Sequence, residues 1–511
     1  MNILNIINFV RAVKPRDPNL DLYEPVKKQL ELSQKYQFPT TFMLQYDSLL
    51  DERYFKLLHN QPDIEIGVWL EVVQPLVESI GLKWRGREGW AWDWYSNVGL
   101  TVGYTVEERK RIADELMRKF KEVFGYYPKT VGSWLIDSAT LNYLYEQYGI
   151  VASCNCKDQW GTDGYSIWGG YYNQGYYPSK LNVITPASSS QNQINVPVFR
   201  MLGSDPVDQY DLGVGGVQGV ITLEPVYMEG GGGGQEEWVR WFLGEIYNGK
   251  CLSFGYTQAG QENGFGWDAM ERGYTFQMQC FDELRKKGSI SVLTLEQTGR
   301  WFKENYKTTP ASSIVAKKED KDSVWYYSRH YRSNFYIKDG IPRIRDIFYF
   351  NDLYEERYLN DVCTSRDMRY DNLPVMDGNR WSTAEKYAGI YFVSSGEIVK
   401  TNHKLDVICE NGVTSLQFDD IKILYREDKI IINSPFILRF IYDSEKSDTQ
   451  IEVFDDKIMF NHNSFSYALK TNAKIVKSKY IELEPQDNRI VFEFAKFTAL
   501  SGGALMDMVI Q

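Results

Sequence analysis

Apolar positions follow two rhythms along the N-terminal part of the chain. Residues 2–10 and 40–46 are short runs rich in Ile, Val, Phe and Thr, and residues 24–36 between them repeat apolar positions at helical spacing. Residues 51–59 read as a helix. The run 64–73, Ile-Glu-Ile-Gly-Val-Trp-Leu-Glu-Val-Val, then reads as a buried strand, because nearly every position is apolar or β-branched. The alternation continues, with strands expected at 130–136, 150–154, 195–201, 219–223, 252–256 and 289–293. Helices are expected at 105–124, 139–148, 236–247, 270–287 and 296–306. Thr105 and Glu108 form a capping box for the first of these helices, and Gly125 is placed to end it. Strands alternating with helices predict a parallel sheet with crossover helices. About eight strands give an α/β fold, a (β/α) barrel over residues 1–310, with an irregular seven-stranded barrel as the alternative.

The rhythm changes afterwards. Residues 311–323 are polar and Lys-rich and read as a linker. From 324 to 511 short apolar runs are separated by turns rich in Asp, Asn and Gly, and helix signals are scarce. This predicts a C-terminal all-β sandwich.

Two stretches fit neither rhythm. Residues 84–95 hold four Trp among Arg, Glu and Asp, which suits a loop over a polar cavity or a loop bracing the barrel. Residues 158–172 are dense in Trp, Tyr, Gly and Asp and extend into further aromatics; so long a stretch without regular period is usually functional. The run Gly230 to Gly234 lacks the Lys-Ser/Thr of a phosphate loop. It reads as a flexible hinge or lid tip, or as a plain surface loop.

Composition narrows the chemistry. The 511-residue chain carries a net charge of -11, and no basic stripe for phosphates is evident, so a nucleic-acid partner is not expected. No apolar run reaches membrane-spanning length, so no membrane partner is expected either. The start of the chain looks like a first strand rather than a signal peptide. A cytoplasmic protein is expected, or a secreted or periplasmic one had a signal segment been removed. Six Cys match neither a zinc site nor a disulfide framework. The aromatic share is 15%, and most Trp fall before residue 311. Flat rings with polar edges fill cores, and they also stack on sugars.

Of the four His, only His59 lies in the barrel region, and there is no Gly-x-Ser-x-Gly. A zinc site or a Ser-His-Asp triad at the barrel mouth is therefore disfavoured. Carboxylates remain. Glu71, Asp137, Asp158, Glu224 and Glu262 stand at or just past strand ends, the face where such barrels keep their active sites. Glycoside hydrolysis uses two carboxyl groups, one protonated and one ionised, and needs neither metal nor cofactor. Glu71 and Glu262 are the first candidates, followed by Asp137 and Glu224. Any one of them alone reads more readily as structural, either salt-bridged to Arg11, Arg85, Arg87 or Arg200 or capping a loop. Trp69, Trp92, Asp158, Trp160, Trp168, Arg200 and Trp267 are the candidate sugar-binding residues.

The order of elements, with residues 23–46 leading into 64–71, the aromatic loops and the β-rich tail, resembles the glycoside hydrolase/deacetylase superfamily. This group includes family-57 glycosidases and polysaccharide deacetylases. The resemblance covers about residues 1–310 and implies a distorted seven-stranded barrel. It also implies a Glu and an Asp at strand ends, as in the metal-free glycosidases. The deacetylases' Thr-Phe-Asp-Asp-Gly-Pro would fall where this chain has Arg11-Ala12-Val13-Lys14, and their His-x-x-x-His near residues 67–71, which hold no His. The expected function is a metal-independent glycosidase acting on an oligo- or polysaccharide. The alternatives are a non-catalytic carbohydrate-binding protein on the same barrel and a metal-dependent polysaccharide deacetylase.

Overall fold

The computed structural model describes residues 1–494 except 16, 215–220, 228–230 and 250. The barrel part contains β1 (Asn2–Val10), β2 (Thr40–Leu44), β3 (Ile64–Trp69), β4 (Thr130–Gly132), β5 (Ala152–Asn155) and β6 (Gln159–Thr162). It continues with β7 (Tyr165–Trp168), β8 (Gly175–Tyr176), β9 (Val198–Arg200), β10 (Gly255–Ala259) and β11 (Ser291–Leu293). Its helices are α1 (Tyr23–Tyr36), α2 (Glu52–Leu58), α3 (Gln74–Ser79), α4 (Ser96–Gly99), α5 (Val106–Phe124), α6 (Ser138–Tyr148), α7 (Glu236–Asn248), α8 (Trp267–Lys286) and α9 (Leu295–Asn305).

The strands β10-β1-β2-β3-β4-β5-β9 lie side by side and parallel, with β8 antiparallel at the far edge and β11 also paired to β1. This is the irregular seven-strand arrangement. No ladder joins β9 to β10 among the described residues, and the rings of Phe199 and Tyr256 meet across that seam at 5.0 Å. β1 is buried along eight of its nine positions because it has neighbours on both edges and helices over its faces. Thr105 and Glu108 make the expected capping box on α5, and Gly125 ends that helix in the left-handed region.

Several expectations shift. The strand expected at 252–256 forms at Gly255–Ala259, and the run 130–136 keeps only three residues in the ladder. Of the strand expected at 219–223, residues 219–220 lie outside the described residues, and Thr222 makes one isolated bridge to Ser204. Residues 158–172 are not irregular throughout: β6 and β7 form a hairpin. Gly230 lies outside the described residues, but Gly232 to Gly234 are buried rather than a surface loop. A Cβ on Gly233 would run into the carbonyls of Leu223 and Glu224, so this glycine lets two backbones pack.

Residues 311–323 are a pair of strands in place of a linker. β12 (Ser312–Lys318) and β13 (Lys321–Tyr327) open an antiparallel sheet continued by β14 (Tyr331–Lys338) and β15 (Ile341–Tyr349). The lysines mark an edge strand whose Ile314 and Ala316 are buried, while the Lys317 carbonyl accepts from the Trp241 indole of α7 at 2.8 Å. A second antiparallel sheet, from Asp406–Glu410 to Arg489–Phe494, packs on the first through rings such as Tyr331 and Phe494, 4.4 Å apart. The two sheets form the expected β-sandwich. It is tied back to the barrel where β16 (Met368–Asp371) runs parallel to β7.

Two buried carboxyls in this framework hold protons well above the ordinary range. Burial pushes Glu356 up to about 8, helped by nearby Asp137, although the Ser138 and Val183 amides donate to it. Burial pushes Asp346 up to about 7 against the opposing pull of Arg332. Unfolded, such groups titrate at about 4. From about pH 5 to about pH 8 the folded chain therefore holds more protons than the unfolded one, so stability falls as pH rises. The thermal midpoint should drop between about pH 5.5 and about pH 8.5, with unfolding releasing protons; a flat or rising midpoint by calorimetry would contradict these two assignments.

Candidate active site

Arg11 follows directly on β1. Its backbone is clamped by Asn263, whose Oδ1 accepts from the Arg11 amide at 3.0 Å while its Nδ2 donates to the Arg11 carbonyl at 2.8 Å. The guanidinium lies 2 % exposed. Its Nη2 donates to Glu262 Oε2 at 2.5 Å and to Glu71 Oε2 at 3.3 Å. These two oxygens share one nitrogen, so they are at most about 5.8 Å apart.

Glu71 sits two residues past β3, where the strand has left the ladder and the chain turns toward α3. The indoles of Trp69 and Trp92 donate to it at 3.0 and 2.7 Å. Burial raises its pKa, opposed by Arg11 and the two indoles. Burial also works against the Arg11 cation, but Glu262, Glu71 and Asp47 outweigh it and hold the proton more tightly than usual. Glu224 is the third buried acid. Thr222 Oγ1 donates to it at 2.9 Å and Gln261 Nε2 at 3.4 Å. Burial pushes its pKa up to about 7, with the negative charge of Glu262 adding to the rise.

Glu71, Glu224 and Glu262 line one cavity of about 160 Å³ together with Arg11. Trp92, Trp94, Trp134, Tyr165 and Phe265 supply its aromatic wall. The loop 84–95 therefore reaches the cavity, stiffened by Arg87, which lies 3.9 Å over the Trp94 ring and donates to buried Asp93.

The structure brings together three of the four acids expected from sequence and places the fourth elsewhere. Asp137 is the N-cap of α6, accepting from the Thr140 amide at 2.9 Å, from Thr101 Oγ1 at 2.6 Å and from Arg109 at 3.2 Å. It is a buried cap and ion-pair partner, away from the cavity wall. Trp92 lines the cavity, and Trp69 stands behind it, orienting Glu71. The remaining candidate sugar-binding residues do not line that cavity. Asp158 and Arg200 form a buried pair at 2.7 Å that also includes Arg332. Burial opposes the Asp158 charge, but Arg332 and Arg200 prevail and keep its pKa low. Trp168 is fully buried and donates to Asp377, Trp160 lies under Arg380 at 3.8 Å, and Trp267 is buried at the start of α8. Sequence reading treated Arg11 only as a salt-bridge partner, and it missed Trp134 and Tyr165. Applying strand-exit logic to cations as well as acids would have singled out Arg11.

A group of metal-ligand type occurs elsewhere, where ligand atoms of Asp371, Asp448 and His462 lie within 4.8 Å of one another. Arg357, Arg369 and Arg380 already bond these two carboxylates, so their charge is balanced without an ion.

No family model matches the sequence, and no curated protein matches it. Among solved structures, a chain described as a glycoside hydrolase/deacetylase from Parabacteroides distasonis superposes with a TM-score of 0.53 at 13% identity. The match covers 73% of this chain and 90% of that one. The two chains share a fold. A chain described as a polysaccharide deacetylase from Mycobacterium smegmatis matches at TM-score 0.33 and 11% identity, covering 62% of this chain and 94% of that one. A GH57 branching enzyme from Thermococcus kodakaraensis, in complex with glucose, matches at TM-score 0.31 and 12% identity, covering 60% and 71%.

Replacing Asp137 separates a structural role from a catalytic one. Asp137→Asn leaves Arg109 buried without its anion, a loss of roughly 3–5 kcal/mol for a broken buried pair. The expected outcome is a large fall in thermal midpoint with the turnover of the folded fraction unchanged; loss of turnover at unchanged stability would return Asp137 to the active site.

Proposed function

We propose that this protein is a glycosidase that cleaves an oligo- or polysaccharide with carboxyl groups alone. The observation that carries the reading is one aromatic-walled cavity shared by an acid that stays protonated near neutrality and two carboxylates bridged by Arg11. Glu224 is the general acid: near pH 7 a large fraction of it holds a proton, the condition for giving one to a leaving oxygen. Glu262 is the nucleophile or base, its Oε2 bonded by the Arg11 guanidinium. Glu71 accepts donors on both oxygens, so it orients Trp92 and Arg11 rather than attacking.

In the reaction Glu224 transfers its proton to the glycosidic oxygen as the bond to the anomeric carbon breaks. Positive charge builds on the sugar ring, and the Glu262 carboxylate stabilises it directly or through the water it activates. Water supplies hydroxyl to the anomeric carbon, and its remaining proton returns to a carboxylate. Trp92, Trp94 and Trp134 present rings on which sugar faces stack. The fold shared with the Parabacteroides distasonis chain is consistent with this chemistry.

The test is hydrolysis of a panel of oligosaccharides and aryl glycosides. Glu262→Gln and Glu224→Gln should each lower kcat by roughly 10²–10⁴-fold with binding retained. The Glu224→Gln variant should recover on aryl glycosides whose leaving group needs no proton, and it should lose the alkaline limb that the parent enzyme shows near pH 7. Tight sugar binding without turnover, or acetate release in place of glycosidic cleavage, would overturn the assignment.

A further inference from the structure

A second cavity, of about 280 Å³, lies on the β-sandwich at the turn between β14 and β15. Its lining is Lys338, Asp339, Ile341, Arg343, Tyr387 and Tyr391. None of these residues takes part in the chemistry above. The volume is slightly below the roughly 300–1,000 Å³ of pockets that hold drug-sized ligands, a scale suited to a single ring.

The cavity joins two kinds of surface. Two cations stand against aromatic rings: the Arg343 guanidinium is 5.3 Å from the Tyr387 centroid and 5.9 Å from that of Tyr391, and the Lys338 ammonium is 5.5 Å from Tyr387. Arg343 is held in place, with a side chain only 6% exposed and Nη1 donating to Tyr391 Oη at 2.9 Å and to the Ala388 carbonyl at 3.3 Å. Tyr387, by contrast, is 37% exposed.

Charge at this place is unbalanced. Asp211 is the partly buried carboxylate that serves it, and it faces Arg345 at 3.1 Å, Arg343 at 3.7 Å and Lys338 at 3.7 Å, with Tyr336 donating as well. Burial opposes the Asp211 charge, but these cations outweigh it and keep the carboxyl ionised. Three cations thus share the one carboxylate within ion-pair reach among the described residues, with Asp339 as a further acid in the cavity lining.

An isolated anion would need the cations but not the rings, and a neutral sugar would use the rings but leave three cations sharing one carboxylate. A sugar ring bearing a carboxylate uses both. We infer that this cavity binds a hexuronate unit of a polysaccharide, with its ring against Tyr387 and Tyr391 and its carboxylate on Lys338 and Arg343. Such a site would hold an acidic chain to the protein apart from the place where bonds are cut. The inference does not depend on Glu224 or Glu262.

The experiment is titration calorimetry on the full chain with a galacturonate oligomer, a neutral galactose oligomer and inorganic sulfate. The galacturonate oligomer should bind, and added salt should weaken it. The neutral oligomer should not bind at this site. Lys338→Ala and Tyr387→Ala, at exposed positions where folding is not at risk, should each weaken galacturonate binding about tenfold or more, the effect of losing a charged or stacking contact. The same binding should survive in Glu224→Gln, which removes an acid without an ion-pair partner among the described residues and separates this site from the first cavity. Unchanged affinity in both variants, equal binding of the neutral oligomer, binding abolished in folded Glu224→Gln, or sulfate binding as tight as galacturonate would each overturn the inference.

Discussion

Arg11 leaves the end of β1 with one nitrogen bonded to both Glu71 and Glu262, and all three groups are almost fully buried. Taking such charges from water costs several kcal/mol per ion, and only close geometry repays it. Removing one partner would leave an unpaired charge in the interior. The geometry is therefore strongly specified. Asn263 fixes the Arg11 backbone from both sides, Tyr54 donates to the Arg11 carbonyl, and Asp47 accepts the next two amides. The chain from β1 to the loop after β10 is in this way a rigid support, and the acids it carries have little freedom to move.

A second buried network fixes the other side of the cavity. Asp158 follows β5 and is held by Arg200 from β9 and by Arg332 from β14, which in turn pairs with Asp346 on β15 at 3.1 Å. The hairpin of β6 and β7 starts next to this junction and carries Gln159 and Tyr165 to the cavity wall. The same hairpin pairs with β16. The sandwich thus does more than follow the barrel: its strands brace the loops that complete the site. The aromatic content serves this purpose as much as any ligand. Trp325 stacks on Tyr172 at 4.0 Å, and the pair lies between the two parts of the chain.

The barrel strands were legible in sequence because buried parallel strands are continuous apolar runs, as in residues 2–10 and 64–69. The acids were legible because a carboxylate at the end of such a run is out of place. That rule alone cannot tell a cavity from a helix start. Asp137 obeys it as well as Glu71 does, yet it precedes Ser138-Ala139-Thr140 and caps α6. A reading of cap chemistry at that position would have separated the two. Residues 311–323 were misread because an edge strand is protected by lysines, the composition that also marks a linker. Trp134 and Tyr165 carry no such local signal, because their place on the cavity wall depends on contacts between distant segments. The glycine run near Glu224 was misjudged for a similar reason: its smallness serves close backbone packing, and only the neighbouring segment reveals that.

The proposed chemistry depends on Glu224 holding a proton near neutrality in the cavity it shares with Glu71 and Glu262. Carbon-13 NMR of labelled glutamate side chains, followed from acid to alkaline pH, reads that proton directly. It should show a carboxyl with a midpoint of about 7 that disappears in Glu224→Gln, distinct from Glu356 at about 8. If the carboxyl that disappears in Glu224→Gln instead titrates below about 5, in the range of an ordinary exposed glutamate, no proton is held for the leaving group and the assigned division of labour is wrong.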